Sequence, residues 1–93
     1  MKYSLTERGQ QTIQRNIDAL FKGETYIDMT EIATSPYNIK QMLLSNDFIE
    51  TFIDNNGMDY WWGFSHPKVG SLTMFFNAES FEIILDVQKG DND

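Results

Sequence analysis

The groups able to do acid–base or ligand chemistry in this 93-residue chain are fourteen carboxylates and a single histidine, with no cysteine beside them. A zinc site needs a full set of Cys and His ligands, which one histidine does not supply. His66 lies in the run Ser65-His66-Pro67-Lys68-Val69-Gly70, which reads as a turn. Adjacent residues do not easily set a hydroxyl against an imidazole, so Ser65-His66 is no dyad and His66 reads as a turn residue rather than a general base. Asp54-Asn55-Asn56-Gly57-Met58-Asp59 and Asp91-Asn92-Asp93 offer oxygens, but neither is followed by the bidentate glutamate of an EF-hand loop. No phosphate-cradling loop and no nucleophile elbow occurs. The expectation is a protein with no catalytic residue, no metal and no cofactor.

The carboxylates either form solvated faces that keep the chain soluble or attract a base, and two arrangements suit the second role. The first is Asp47, Glu50 and Asp54. On a helix their i, i+3, i+7 spacing puts all three on one face, opposite Ile49, Phe52 and Ile53. Like charges so spaced weaken a helix, so the fold gains nothing from them. Such a stripe can engage Lys and Arg that otherwise hold phosphates. The second arrangement sets Trp61, Phe75 and Ile84 among Asp59, Glu82 and Asp86 on one face of a sheet. The expected register lays Trp61 across from Phe75, with Thr73 and Ile84 beside them and Asp59 and Glu82 at the edge. Aromatic anchors inside a polar rim are the usual make-up of a binding hot spot. The expected partner-binding residues are therefore Asp47, Glu50, Asp54, Asp59, Trp61, Phe75, Glu82 and Asp86.

The charge balance points the same way. Residues 1–22 hold Lys2, Arg8, Arg15 and Lys22 against Glu7 and Asp18 for a net +2, so residues 23–93 carry −9 of the total −7. No Lys or Arg stands between Lys40 and Lys68. A field of that sign repels nucleic acid and anionic membrane and steers a basic partner. The absence of cysteine excludes a disulfide scaffold and fits a reducing compartment. No apolar run approaches the roughly 18 residues of a membrane span, and Met-Lys-Tyr-Ser-Leu-Thr-Glu-Arg lacks an apolar signal core. The expected location is the cytoplasm.

The elements that must position these groups follow from periodicity. Ser4-Leu5-Thr6-Glu7 fits a capping box, Ile13, Ile17, Leu20 and Phe21 share a helical face, and Gly23 suits a C-cap. This predicts a helix over about 5–22. Residues 24–35 fit either a short strand through Ile27 and Met29 or a short helix capped at Asp28, the helix being preferred. Ser35-Pro36 opens a further helix. Ile39, Met42, Leu43, Ile49, Phe52 and Ile53 extend its face to residue 54, either unbroken or with a kink near Asn46. Asn55-Asn56-Gly57 ends it. The period then changes to two in Met58–Phe64, Leu72–Phe76 and Phe81–Val87. A two-residue loop at Ala78-Glu79 would pair Phe76 with Phe81, Met74 with Ile83 and Leu72 with Leu85. A polar, frayed tail runs from Lys89 to Asp93.

The string Tyr3-Ser4-Leu5-Thr6-Glu7-Arg8-Gly9 resembles the one that follows the wing in winged-helix transcription regulators. Thr30-Glu31-Ile32-Ala33 with a following helix is similar to a helix-turn-helix. That resemblance implies a DNA-binding regulator. Binding of DNA rests on Lys and Arg reaching phosphates, and Pro36–Asp54 carries one Lys against three acids. The expected fold is a single α+β domain over 1–93. It has two layers: N-terminal helices over about 5–54, packed on a C-terminal three-stranded antiparallel meander over about 58–88. The leading functional expectation is a small acidic inhibitor that docks on a basic surface of a nucleic-acid-handling protein. Two settings fit: an anti-CRISPR or anti-restriction protein of a phage, meeting a CRISPR effector or nuclease, and an immunity protein or antitoxin against a nuclease toxin. It would touch neither nucleic acid nor membrane directly. The alternatives are a homodimer or larger homo-oligomer joined through the outer sheet face, and the winged-helix regulator.

Overall fold

The first helix, α1, runs Glu7–Phe21. Its N-cap is Thr6, whose hydroxyl accepts from the Gly9 N–H at 3.0 Å; the expected cap, Ser4, lies outside the described residues. The computed structural model describes residues 6–32 and 34–88. At the other end Gly23 sits at φ +109°. Its N–H donates to Leu20 O at 3.1 Å, and the Glu24 N–H donates to Ala19 O at 3.0 Å. This pair of bonds closes a helix when the residue after the cap turns left-handed, a conformation glycine adopts freely.

Both readings of the next segment are realised in succession. β1 is Tyr26–Asp28 and a 3-10 turn follows at Thr30–Ile32. Asp28 Oδ1 accepts from the Thr30 N–H at 2.9 Å and so starts that turn. The second helix, α2, is Pro36–Ser45, with Ser35 as N-cap and proline at its first turn.

The helix expected to reach residue 54 stops at Ser45. Asn46 is its cap and Asp47 takes φ +72°. Asp47 N–H then donates to Leu44 O at 3.1 Å and Phe48 N–H to Leu43 O at 3.1 Å. The closure is the same one that ends α1, with buried Phe48 packing in the same core as buried Leu43. The residues thought to continue the helix form β2, Ile49–Asn56. Three more strands follow: β3 Asp59–His66, β4 Gly70–Asn77 and β5 Ile83–Gln88.

The α+β class stands, but the sheet has five strands rather than three, in the order β1-β5-β4-β3-β2, and each neighbouring pair is antiparallel. The extra strands are the two edges. The β4–β5 register also differs by two residues from expectation. Phe76 pairs with Ile83, Met74 with Leu85 and Leu72 with Val87. The loop is longer because Asn77 organises it: its Oδ1 accepts from the Glu79 and Ser80 N–H groups, and its carbonyl accepts from Phe81 N–H at 2.8 Å. Phe81 then sits left-handed at φ +64°, exposed, instead of pairing with Phe76. A shift of two keeps every side chain on its expected face.

Both helices pack on one face of the sheet. Ile13, Ile17 and Leu20 of α1 and Ile39 and Leu43 of α2 bury against Phe64, Leu72, Met74, Ile83 and Leu85. Gln14 and Asn46 fix the helices to each other through two reciprocal amide bonds of 2.9 and 3.0 Å, and Asn46 Nδ2 also donates to Met42 O at 2.7 Å. At the far corner His66 is a structural residue. Its Nδ1 accepts from the Lys68 N–H, and its ring packs 4.9 Å from Phe21 and 4.8 Å from Phe48.

Two substitutions test this closure by chemical denaturation. Asn46→Ala removes three half-buried bonds and should lower stability by about 1–2 kcal/mol. Asp47→Gly relieves a left-handed non-glycine residue and should leave stability unchanged or raise it by up to about 1 kcal/mol.

Candidate protein-docking face

Antiparallel pairs share a face, so the registers show which residues stand together on the side away from the helices. Asp54 pairs with Trp61, Trp61 with Phe75, Phe75 with Ile84 and Ile84 with Asp28. One row across all five strands thus reads Asp54, Trp61, Phe75, Ile84, Asp28. Three apolar groups are bracketed by carboxylates at both edges, about 19 Å apart at the usual strand spacing. The Trp61 and Phe75 rings are 5.7 Å apart and tilted by 54°, within the contact range of aromatic pairs. Both are half-buried, and Ile84 is buried beside them.

The next row reads Phe52, Gly63, Thr73, Asp86, Tyr26. Gly63 is where the edge strand is locked on. A methyl group built there would run into the Phe52 ring and come within 2.7 Å of Thr51 Oγ1. The ring therefore lies over the glycine, filling the place of the missing side chain. On the far side of the Trp61 row, Asp59 pairs with Asn77, whose Nδ2 donates to Asp59 Oδ1 at 2.7 Å. Glu82 stands exposed at the loop margin. With Asp28, Thr30, Glu31 and Ser80 it lines an open hollow. Among the described residues no three such groups converge as metal ligands do.

The eight expected site residues divide. Asp54, Asp59, Trp61, Phe75 and Asp86 come together on the outer face, with Glu82 at its margin. Asp47 does not join them, because it is the left-handed residue that ends α2. Glu50 faces the other way: it pairs with core-side Phe64, and its Oε1 is 3.2 Å from Lys40 Nζ of α2. The helix stripe is thus replaced by one outer-face carboxylate that accepts its neighbour's N–H, one turn residue and one internal ion pair. Ile49 and Phe52 also stand on this face, in β2, which the sequence reads as helix, and so do Tyr26 and Asp28, in β1, where the sequence fits a strand but favours a helix.

No known protein family, curated protein or solved structure matches this chain.

The described bases keep to one side of the sheet, while acids occur on both. Among the described residues the outer face holds Asp28, Asp54, Asp59 and Asp86 and no base. Arg8 and Arg15 are on α1, Lys22 caps it, and Lys40 is on α2. Lys68, in the β3–β4 turn, lies over the Phe21 ring on the helical side, 5.9 Å from its centroid. The helical side has a second apolar feature, a small hollow lined by Pro36, Tyr60, Trp62, Met74, Phe76 and Ala78. There Trp62 Nε1 is buried with no hydrogen-bond partner among the described residues, and Lys40 Nζ sits 5.3 Å from its ring centroid.

Two expectations follow from the face itself. Gly63→Ala must displace the Phe52 ring, so it should cost about 1–3 kcal/mol of stability. In a Phe52→Ala background, measured as a double-mutant cycle, most of that cost should vanish. The Thr30 hydroxyl and N–H both bond the Asp28 carboxylate and hold it below the ordinary carboxylate range. A depressed acid stabilises the fold above its unfolded value and stops doing so as pH falls through the folded one. Asp28→Ala should thus lower the unfolding midpoint at pH 7, and the difference from wild type should shrink as pH falls through the depressed value of the folded state.

Proposed function

We propose that this protein is a small acidic binding inhibitor that sets its outer sheet face against a basic surface of a nucleic-acid-handling protein. The observation that carries the reading is the row Asp54, Trp61, Phe75, Ile84, Asp28 on a face with no described base and no described element packed over it. Trp61 and Phe75 supply the anchor area that dominates binding energy. The carboxylates around them steer and pair with Lys and Arg that otherwise contact phosphates. A nuclease or a CRISPR effector presents such a surface. The settings are an anti-defence protein (anti-CRISPR or anti-restriction) and an immunity protein or antitoxin against a nuclease toxin, both acting in the cytoplasm. Choosing a partner of opposite charge over a second copy follows from the same face. Two copies meeting through it would set Asp28, Asp54, Asp59 and Asp86 of one against those of the other, which is unfavourable.

The reading assigns no catalytic role. The pairing of bases with carboxylates also implies that added salt weakens the complex.

The test is capture from host lysate at low salt, followed by assay of the purified captured enzyme. Wild type should retain a basic nucleic-acid enzyme and inhibit its cleavage. Trp61→Ala should weaken binding by about 2 kcal/mol or more. Asp86→Lys should both weaken binding and flatten its salt dependence. Binding that is indifferent to Trp61, Asp86 and salt would overturn the proposal.

A further inference from the structure

The sheet's two edges are unequal. β1 offers three residues, whereas β2 offers eight, all of them exposed. Edge strands usually carry a lysine, a proline or a cover that prevents further pairing. β2 contains neither residue, and no described element pairs with its free side. Its apolar side chains are left in water: Ile49 is 66% exposed, Ile53 57% and Phe52 47%. One device is present, a bulge at Thr51, where the pairing jumps from Glu50–Phe64 to Phe52–Gly63. Beyond it Phe52–Asn56 pairs regularly with Gly63–Asp59. Every second residue of that run turns its N–H and C=O to the edge; of these groups the Asn55 N–H is held by Asp54 Oδ1 at 2.8 Å, a local bond that an added strand with a base opposite Asp54 would replace.

We propose that this run accepts an extended basic segment of the partner as a sixth, antiparallel strand. The inference rests on the docking-face reading and names the form in which the partner's bases arrive. The added strand would continue the outer face beyond Asp54 and Phe52. Its side chain opposite Asp54 would be Lys or Arg. Its side chains opposite Ile53 and Asn55, on the helical side, would be apolar or neutral. Charge discriminates this occupant from a second copy. Self-pairing that uses all five regular residues is centred on Asp54 and sets that carboxylate opposite its own copy. Moving the centre to Ile53 or Asn55 frees the carboxylate but leaves three regular pairs, because the bulge or the Gly57 turn intervenes. A foreign strand with a base opposite Asp54 uses all five and neutralises the charge.

The probe is a nine-residue peptide alternating Lys and Val, with amide hydrogen exchange of the intact chain as readout. A control peptide of the same sequence is N-methylated at alternate residues, so it keeps the charge and loses the ladder. The expected result is slowed exchange at alternate residues of Phe52–Asn56, absent with the control. Asp54→Lys, an exposed edge change that leaves the core untouched, should weaken peptide affinity roughly fivefold or more. Salt-sensitive binding that perturbs Trp61 and Asp86 without protecting β2 would overturn strand addition and leave the acidic face standing. No binding at low salt would overturn both. Protection of β2 that grows with protein concentration alone, without peptide, would give the edge to a second copy and overturn the proposal.

Discussion

Two short helices can cover one face of a five-stranded sheet and not both. α1 has 15 residues and α2 has 10, so they are about 22 and 15 Å long. Side by side, at about 10 Å each, they span the width of one face. The core forms there, around Phe64, Leu72, Met74 and Leu85. Everything on the opposite face must be tolerable in water or must meet something else. The row from Asp54 to Asp28 is tolerable in water at its ends and apolar in its middle. Its two aromatic rings pack against each other, and its ends are charged.

The same constraint explains the distribution of charge. Two bases on the helical side sit over aromatic rings, Lys40 over Trp62 and Lys68 over Phe21, and Lys40 also pairs with Glu50. There the lysine stems cover apolar surface. The outer face has no such partner within the chain, and its carboxylates stand without a described cation. Local structure uses some of them: Asp28 starts a turn and Asp59 holds Asn77. Asp54 bonds only its neighbour's N–H in the described structure, and Asp86 stands exposed. These two are the carboxylates most available to a partner.

The outer face was legible in the sequence where strands alternate cleanly. Trp61 opposite Phe75, and the assignment of Asp59, Ile84 and Asp86 to the same side, follow from period-two patterning in β3, β4 and β5. β2 was not legible, for a physical reason. Its bulge at Thr51 inverts the alternation, so Glu50 and Phe52 face opposite sides. What remains is Ile49, Phe52 and Ile53 at i, i+3, i+4, which is the spacing of a helix face. The left-handed turn at Asp47 that separates helix from strand has no glycine to announce it. The β4–β5 register was missed for a similar reason, since Phe81 is a residue type that seldom turns left-handed. In each case a single backbone conformation, rather than a run of side chains, decided the outcome.

The central claim is that the outer sheet face, not the helical layer, meets the partner. Two tyrosines of nearly equal exposure report on it, Tyr26 on the outer face at 60% and Tyr37 on α2 at 58%. Hydroxyl-radical footprinting of the chain, free and bound to its captured partner, compares them within one sample. Protection of Tyr26, Trp61 and Phe75 with Tyr37 unchanged is the predicted result. Protection of Tyr37 with Trp61 and Tyr26 still oxidised would contradict the account.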